Sequence, residues 1–192
     1  MKTLIIGGVA GGASCAARLR RLDEKAEIII LERGEFISFA NCGLPYYIGG
    51  EITEKSDLTL QTPESFKARF NIEVRTFSEA VAIDTENKIV TVKDLKTGEE
   101  YAERYDSLVL SPGASPIRPK IDGIDNDRVS TLRNIPDTLK IKRYIEKNSP
   151  KTAVVVGGGY IGVEMAENLV NAGLDVTIVE LSDHLIAPLD FD

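Results

Sequence analysis

One order of elements occurs twice in this chain and constrains its fold more than any other feature: strand, glycine-rich turn, helix, strand, acidic residue. In the first copy, residues 3–6 form a short apolar run and Gly7-Gly8-Val9-Ala10-Gly11-Gly12 a turn. Residues 13–22 follow with a helical pattern, and residues 26–31 are a second apolar run ending at Glu32. In the second copy, the strand is 152–156, the turn Gly157-Gly158-Gly159-Tyr160-Ile161-Gly162, the helix 163–172, and the closing strand 174–179, ending at Glu180. A strand that returns through a helix to a neighbouring strand builds a parallel βαβ unit. The expected class is therefore α/β: two Rossmann-like, doubly wound, three-layer dinucleotide-binding domains, over 1–117 and 118–192.

The turns carry the chemistry. Gly7 permits a tight turn, Gly12 lets helix pack closely on strand, and the helix N-terminus offers unpaired N–H groups to a pyrophosphate. The first copy departs from Gly-x-Gly-x-x-Gly, because Val9 stands where the second glycine lets backbone approach phosphate; a glycine-rich turn of some other α/β protein stays open for this copy alone. The second copy matches at all three glycines. Glu32 and Glu180 sit where a carboxylate accepts hydrogen bonds from ribose hydroxyls. A carboxylate there repels a 2′-phosphate, and Leu181-Ser182-Asp183-His184 supplies no Arg or Lys, so NADH is expected over NADPH.

Between the copies the texture changes. Residues 63–70 read as a helix opening on proline, and 72–75, 80–83, 89–92 and 100–105 as short strands of an antiparallel β-meander inserted in the first domain. Residues 107–110 are a further strand, running into Ser111-Pro112-Gly113 and a proline-rich linker to Gly123. The chain stops at Asp192, soon after the last strand, which reads as a truncation of the second domain and leaves the first without its return segment.

With 192 residues, 43% of them apolar, the chain can bury a sizeable core, and a net charge of −7 without a basic run argues against a nucleic-acid partner. The N-terminal apolar run is a strand's length and is broken at once by glycine, so no signal peptide or membrane span is expected, and a cytoplasmic location is. His184, the only histidine, has no neighbouring acid or cysteine pattern suggestive of a metal and reads as loop.

Two cysteines are present. Cys15 falls among Ala13, Ala16 and Ala17 on the first helix and reads as core. Cys42 lies ten residues beyond the first unit, in Ser38-Phe39-Ala40-Asn41-Cys42-Gly43-Leu44-Pro45-Tyr46-Tyr47, with no partner at hand. A lone thiol cycles through a mixed disulfide, a persulfide or a sulfenic acid. Residues 43–48 read as a helix, whose N-terminal N–H groups are expected to favour a Cys42 thiolate. A buried structural thiol is the plain alternative. Ser14, Arg18 and Arg21 share one helix face at i, i+4 and i+7, either as a phosphate clamp or as a solvated surface.

The opening Gly-Gly-Val-Ala-Gly-Gly-Ala-Ser, Tyr-Asp-Ser-Leu-Val-Leu-Ser-Pro-Gly-Ala (105–114) and Gly-Gly-Gly-Tyr-Ile-Gly-Val-Glu (157–164) resemble the motifs of the pyridine nucleotide disulfide oxidoreductase family. The dithiol members carry Cys-x-x-x-x-Cys, whereas here residue 47 is tyrosine. The Cys42 segment instead resembles the single-cysteine coenzyme A disulfide, persulfide and polysulfide reductases, and less closely the NADH oxidases and peroxidases of the same superfamily. The resemblance implies FAD at Gly7, Gly8, Val9, Ala10, Gly11, Gly12, Glu32, Arg33, Val81, Ser111, Pro112 and Gly113. It implies NADH at Gly157, Gly158, Gly159, Tyr160, Ile161, Gly162, Glu164 and Glu180. It further implies catalysis at Cys42, a disulfide or polysulfide substrate held by Ser14, Arg18, Arg21, Ser38 and Asn41, and a homodimer for the full-length enzyme. An oxidase or peroxidase with a Cys42 sulfenic acid, and a non-catalytic nucleotide-binding fragment, stay open as alternatives.

Overall fold

The computed structural model describes residues 1–189. In chain order its elements are β1 Lys2–Ile6, α1 Ala10–Leu22, β2 Glu27–Leu31, α2 Gly43–Gly49, a short 3-10 turn Lys55–Leu58, α3 Pro63–Phe70 and β3 Glu73–Arg75. There follow β4 Ser78–Asp84, β5 Ile89–Asp94, β6 Glu100–Arg104, β7 Ser107–Leu110, α4 Ile135–Asn148, β8 Thr152–Val156, α5 Tyr160–Asn171 and β9 Asp175–Val179. They divide into two compact units, Met1–Phe39 with Thr59–Ala114, and Ala40–Leu58 with the chain from Ser115 onward.

The first unit has three layers. Its middle layer is a parallel sheet of order β3-β2-β1-β7. Ile28, Ile29, Ile30 and Leu31 of β2 are all buried, as an unbroken apolar run must be when both faces of a parallel strand are covered. Alternate residues serve opposite faces. Ile5, Ile28 and Ile30 meet Ala13 and Ala16 of α1, Phe66 of α3 and Ile72. Leu4, Ile29 and Leu31 meet Val90 and Val92 of the antiparallel meander β4-β5-β6.

The sequence places 72–75 in the meander, but β3 pairs in parallel with β2. The reason is α3, which carries the chain back to the edge of β2 as a second βαβ crossover and buries Ile72 on the helical face. A capping box between Thr62 and Ser65, with Pro63 in the first turn, starts α3 where the sequence predicts it.

Arg20 closes this layer. Its guanidinium donates to the carbonyls of Phe70, Asp23, Glu24, Ala26 and Asn71 at 2.6 to 3.2 Å, which ties the end of α1 to the end of α3. Cys15 is half-buried rather than fully inside the core, because it lies beside the buried Ala16 stripe rather than on it.

In the second unit β8 and β9 pair in parallel, from Thr152 opposite Asp175 to Val156 opposite Val179. Met165 and Leu169 of α5, Leu174 and Ile48 of α2 form its core, joined by Ile141 and Ile145 of α4 and by Ala153, Val155 and Val176 of the strands. Helix α4 is unread at the sequence level, although Asn134 caps it by accepting the Asp137 N–H at 2.9 Å and Pro136 stands in its first turn. Among the described residues no helix is long and apolar enough to cross a membrane.

Candidate functional site

Both glycine turns are built by the same bonds. Gly7 has φ +97, donates its N–H to the Leu31 carbonyl at 2.8 Å, and lies so close to the Ser111 carbonyl that a Cβ would collide with it. Gly157 has φ +103 and donates to Val179 O at 2.8 Å. Gly12 and Gly162 are equivalent as well, since a Cβ on either would strike the carbonyl of Gly7 or Gly157. That approach sets the first helix turn directly on the strand end.

Each acidic residue braces its turn. Glu32 accepts the Gly8 N–H at 2.8 Å on one oxygen and the Gly34 N–H at 2.7 Å on the other. Glu180 accepts the Gly158 N–H on one oxygen and the Ser182 N–H at 2.8 Å on the other. Hydrogen bonds from Ser182 and Gly158 hold the Glu180 carboxyl down to about 2, so it is ionised across the physiological range. A carboxylate has about four lone-pair sites, so ribose hydroxyls can still be accepted by both residues.

The loops beyond the acids close alike. Ser38 donates its N–H to Gly8 O at 2.9 Å, and Ile186 donates to Gly158 O at 2.7 Å. Each lies six residues past its glutamate and takes a positive φ, +45 and +53. The chemistry of serine and isoleucine gives no hint of this equivalence.

Helices α1 and α5 begin at Ala10 and Tyr160, three residues earlier than the sequence predicts, so Gly11, Gly12, Ile161 and Gly162 lie in their first turns. Val9 and Gly159 are the N-caps, and neither first turn contains an acidic side chain. Gly11 is exposed near the Ser111 hydroxyl, Gly159 has open space around its Cα, and Tyr160 and Ile161 face solvent. These cradles fit a dinucleotide diphosphate: glycine-rich turns, a positive helix end and no acidic side chain in the helix's own first turn.

The remaining first-unit candidates are more dispersed. Ser111 and Pro112 border the turn at Gly7, and Gly113 follows with φ +71. Arg33 is exposed, with its guanidinium 3.8 Å from Glu79. Val81 lies where the β4–β5 register skips from Ala80 to Ala82, a bulge that frees its backbone from the ladder. Ser14, Arg18 and Arg21 are all exposed on one side of α1, and no ion pair involves either arginine among the described residues.

Cys42 is an exposed free thiol at the N-cap of α2, in the second unit. The expected donation from helix N–H groups is not available in the first turn. The Gly43 N–H is taken by Ala40 O at 3.0 Å, the Leu44 N–H by Asn41 O at 3.3 Å, and Pro45 has none. Asn41 accepts from Arg133 through its side-chain oxygen at 3.4 Å. Tyr47, at the position of a second cysteine in the dithiol pattern, is buried under the Lys142 ammonium, 4.8 Å from the ring centre.

Glu164 faces α2. Its charge, with burial and the Glu167, Glu51 and Cys42 charges adding to it, raises the Tyr46 phenol and keeps it protonated at neutral pH. Arg133, Lys142 and Asn168 surround the α2 segment, and the sequence alone does not point to them. No local motif marks them, because each is a long-range contact from α4, its approach or α5.

Known proteins share this architecture. A coenzyme A disulfide reductase of Staphylococcus haemolyticus is 44% identical over 191 residues, which is 100% of this chain and 43% of that protein. Among solved structures, reduced Bacillus anthracis CoADR-RHD has TM-score 0.96 and 56% identity, over 99% of this chain and 34% of that one. A NAD-dependent persulfide reductase from A. fulgidus has TM-score 0.93 and 38% identity, over 99% and 35%. A water-forming NADH oxidase from Lactobacillus brevis, bound to NADH, has TM-score 0.89 and 34% identity, over 97% and 41%. The chain thus spans less than half the length of these relatives. The family profile of pyridine nucleotide-disulphide oxidoreductases matches residues 1–192, and the chain belongs to that family.

Proposed function

We propose that this chain is the nucleotide-binding part of an NADH- and FAD-dependent oxidoreductase that reduces coenzyme A disulfide, or a related persulfide or polysulfide, through Cys42. The observation that carries this reading is the exposed Cys42 thiol, with a buried tyrosine where a dithiol enzyme has its second sulfur, in a chain with two braced dinucleotide turns. FAD is assigned to Gly7–Gly12, Glu32, Arg33, Val81 and Ser111–Gly113, within residues 1–117. NADH is assigned to Gly157–Gly162, Glu164 and Glu180, within 118–192.

Bound FAD supplies the route by which an electron pair passes from the reduced nicotinamide to sulfur. The chain's own residues do the rest. The Cys42 thiolate attacks one sulfur of the substrate disulfide, so that the S–S bond breaks, a mixed disulfide forms and one thiolate leaves. An electron pair then splits the mixed disulfide, returning the Cys42 thiolate and releasing the second thiolate, which is protonated by solvent. Arg18 and Arg21 receive the substrate's phosphates, and Ser14, Ser38 and Asn41 its polar groups. Under this reading the full-length protein is a cytoplasmic homodimer.

The likeness to the Lactobacillus brevis enzyme favours a second reading, in which oxygen or peroxide oxidises Cys42 to a sulfenic acid. Anaerobic NADH consumption by the full-length protein with coenzyme A disulfide or polysulfide separates the two. Dependence on the sulfur substrate, lost in Cys42→Ser, supports the first reading; NADH loss only with oxygen or peroxide replaces it with the second.

A further inference from the structure

Helix α2, which presents Cys42, is a poor helix by sequence. Its seven residues, Gly-Leu-Pro-Tyr-Tyr-Ile-Gly, include two glycines and a proline, and a two-turn helix has no stability of its own in water. Something outside must hold it: the 3-10 turn Lys55–Leu58 lies against its start, with Leu58 beside Gly43, and α4 and α5 hold the rest. Ile48 packs among Met165, Leu169, Ile141 and Ile145. Lys142 of α4 donates from Nζ to the Tyr47 carbonyl at 2.8 Å and stands over the Tyr47 ring at 4.8 Å. A cation on an otherwise open carbonyl of the last turn is a C-terminal cap delivered from another helix.

Asn168 of α5 sets the spacing. Its side chain is fully buried, and its Nδ2 donates to the Glu164 carbonyl at 2.8 Å, which fixes the amide's orientation. The side-chain oxygen is left without a hydrogen bond and lies against Gly49, where a Cβ would collide with it. A buried unsatisfied oxygen is costly, and here it marks close contact between α5 and the end of α2.

We propose that Lys142 and the Gly49–Asn168 contact are positioning elements for Cys42, so that the thiol is placed by the nicotinamide-side unit although it follows the first nucleotide unit in sequence. Loss of the Lys142 cap unwinds the last turn, and in a helix with so few internal bonds that loosening reaches the N-cap. The inference rests on Cys42 as the redox group, and its test is arranged to fail separately from that reading.

In the full-length flavoprotein, Lys142→Met keeps the aliphatic stem on Tyr47 and removes the ammonium. Lys142→Arg restores a cation able both to donate and to stack. Two quantities are measured: the rate of Cys42 alkylation by iodoacetamide, with the modified peptide located by mass spectrometry, and steady-state turnover with coenzyme A disulfide. The expected result for Lys142→Met is a changed alkylation rate and a kcat lower by about tenfold, the KM for NADH staying within about twofold, with recovery in Lys142→Arg. Gly49→Ala should reproduce the defect and Gly49→Ala/Asn168→Ala relieve it, which keeps the test open if Lys142→Met does not fold. Wild-type alkylation and kcat in both Lys142→Met and Gly49→Ala, with Cys42→Ser inactive, overturn the inference and leave the function standing. An active Cys42→Ser overturns the function, and the alkylation rates alone then decide the inference.

Discussion

The Glu180 carboxylate accepts the backbone N–H of Gly158, the residue between the first two glycines of the Gly-x-Gly-x-x-Gly turn, and so is held at that turn by the chain itself. Its other oxygen is held by Ser182. Under the proposed assignment the residue that meets the ribose is also a brace of its glycine turn, and the two roles are separable by pH and by substitution.

With the carboxyl held down to about 2 against an ordinary 4.5, Glu180 stays charged over the working range. The folded-state value is depressed, so its stabilising contribution is complete above pH 4.5 and is lost as pH falls toward 2. NADH affinity measured by fluorescence titration is expected to be flat from pH 5.5 to 8 so far as this residue contributes. Glu180→Gln keeps the shape but removes the charge that repels a 2′-phosphate, so the preference for NADH over NADPH should shrink by about tenfold. An unchanged preference would remove Glu180 from the specificity assignment.

The turn glycines divide into those the fold requires and one it does not. Gly7→Ala places a Cβ against the Ser111 carbonyl at a positive φ and is expected to cost about 3 kcal/mol in urea unfolding. Gly159 has φ −74 and a Cβ added there would meet nothing within 4 Å, so Gly159→Ala should cost within about 1 kcal/mol, the loss of a good N-cap. NADH binding by Gly159→Ala should nonetheless weaken by about tenfold or more, since the added methyl occupies the space a diphosphate needs.

Adjacent arginines on α1 are expected to behave as different kinds of residue. Arg20 spends its donors on five carbonyls, and Arg20→Lys, which cannot reproduce a planar fork, should lower stability by about 2 kcal/mol. Arg18→Ala and Arg21→Ala should leave the unfolding midpoint nearly unchanged and raise the KM for coenzyme A disulfide. If Arg20→Lys alone disturbs substrate binding with no change in stability, the phosphate clamp has been placed on the wrong residues.

The two βαβ units were legible because apolar runs, glycines and terminal acids are local signals, and the strands 107–110 and 152–156 and the helix 63–70 fall where the sequence puts them. The helix starts at Ala10 and Tyr160 are hidden in the sequence because glycines in a first turn look like loop. What sequence order conceals is partnership. Ala40–Leu58 joins the second unit through Ile48 against Met165 and Leu169, contacts more than a hundred residues apart that no window detects. The shared closure of Ser38 on Gly8 and Ile186 on Gly158 runs through backbone alone, so side-chain identity carries no trace of it.

A charged network across the strand ends gives the clearest acid response. Lys2 of β1 bonds Glu103 of β6 at 2.6 Å and Glu27 at 3.0 Å, while Arg75 of β3 bonds Glu103, and Glu73 at 2.6 Å. Burial pulls the Glu103 carboxyl upward, but hydrogen bonds from Lys2 and Arg75 and their charges outweigh it and hold the group below its ordinary value of 4.5. By linkage, this pairing stabilises the fold fully above pH 4.5, and the contribution fades as pH falls through the depressed folded-state value. Glu103→Gln should accordingly lower the melting temperature by several degrees at pH 7, an effect of about 1 to 2 kcal/mol for a partly buried carboxylate between two cations. The gap between variant and wild type should narrow as the melts are repeated from pH 5 down to pH 3, because the wild type then loses what the variant never had. A gap constant over that range would mean that Glu103 stabilises by shape rather than by charge.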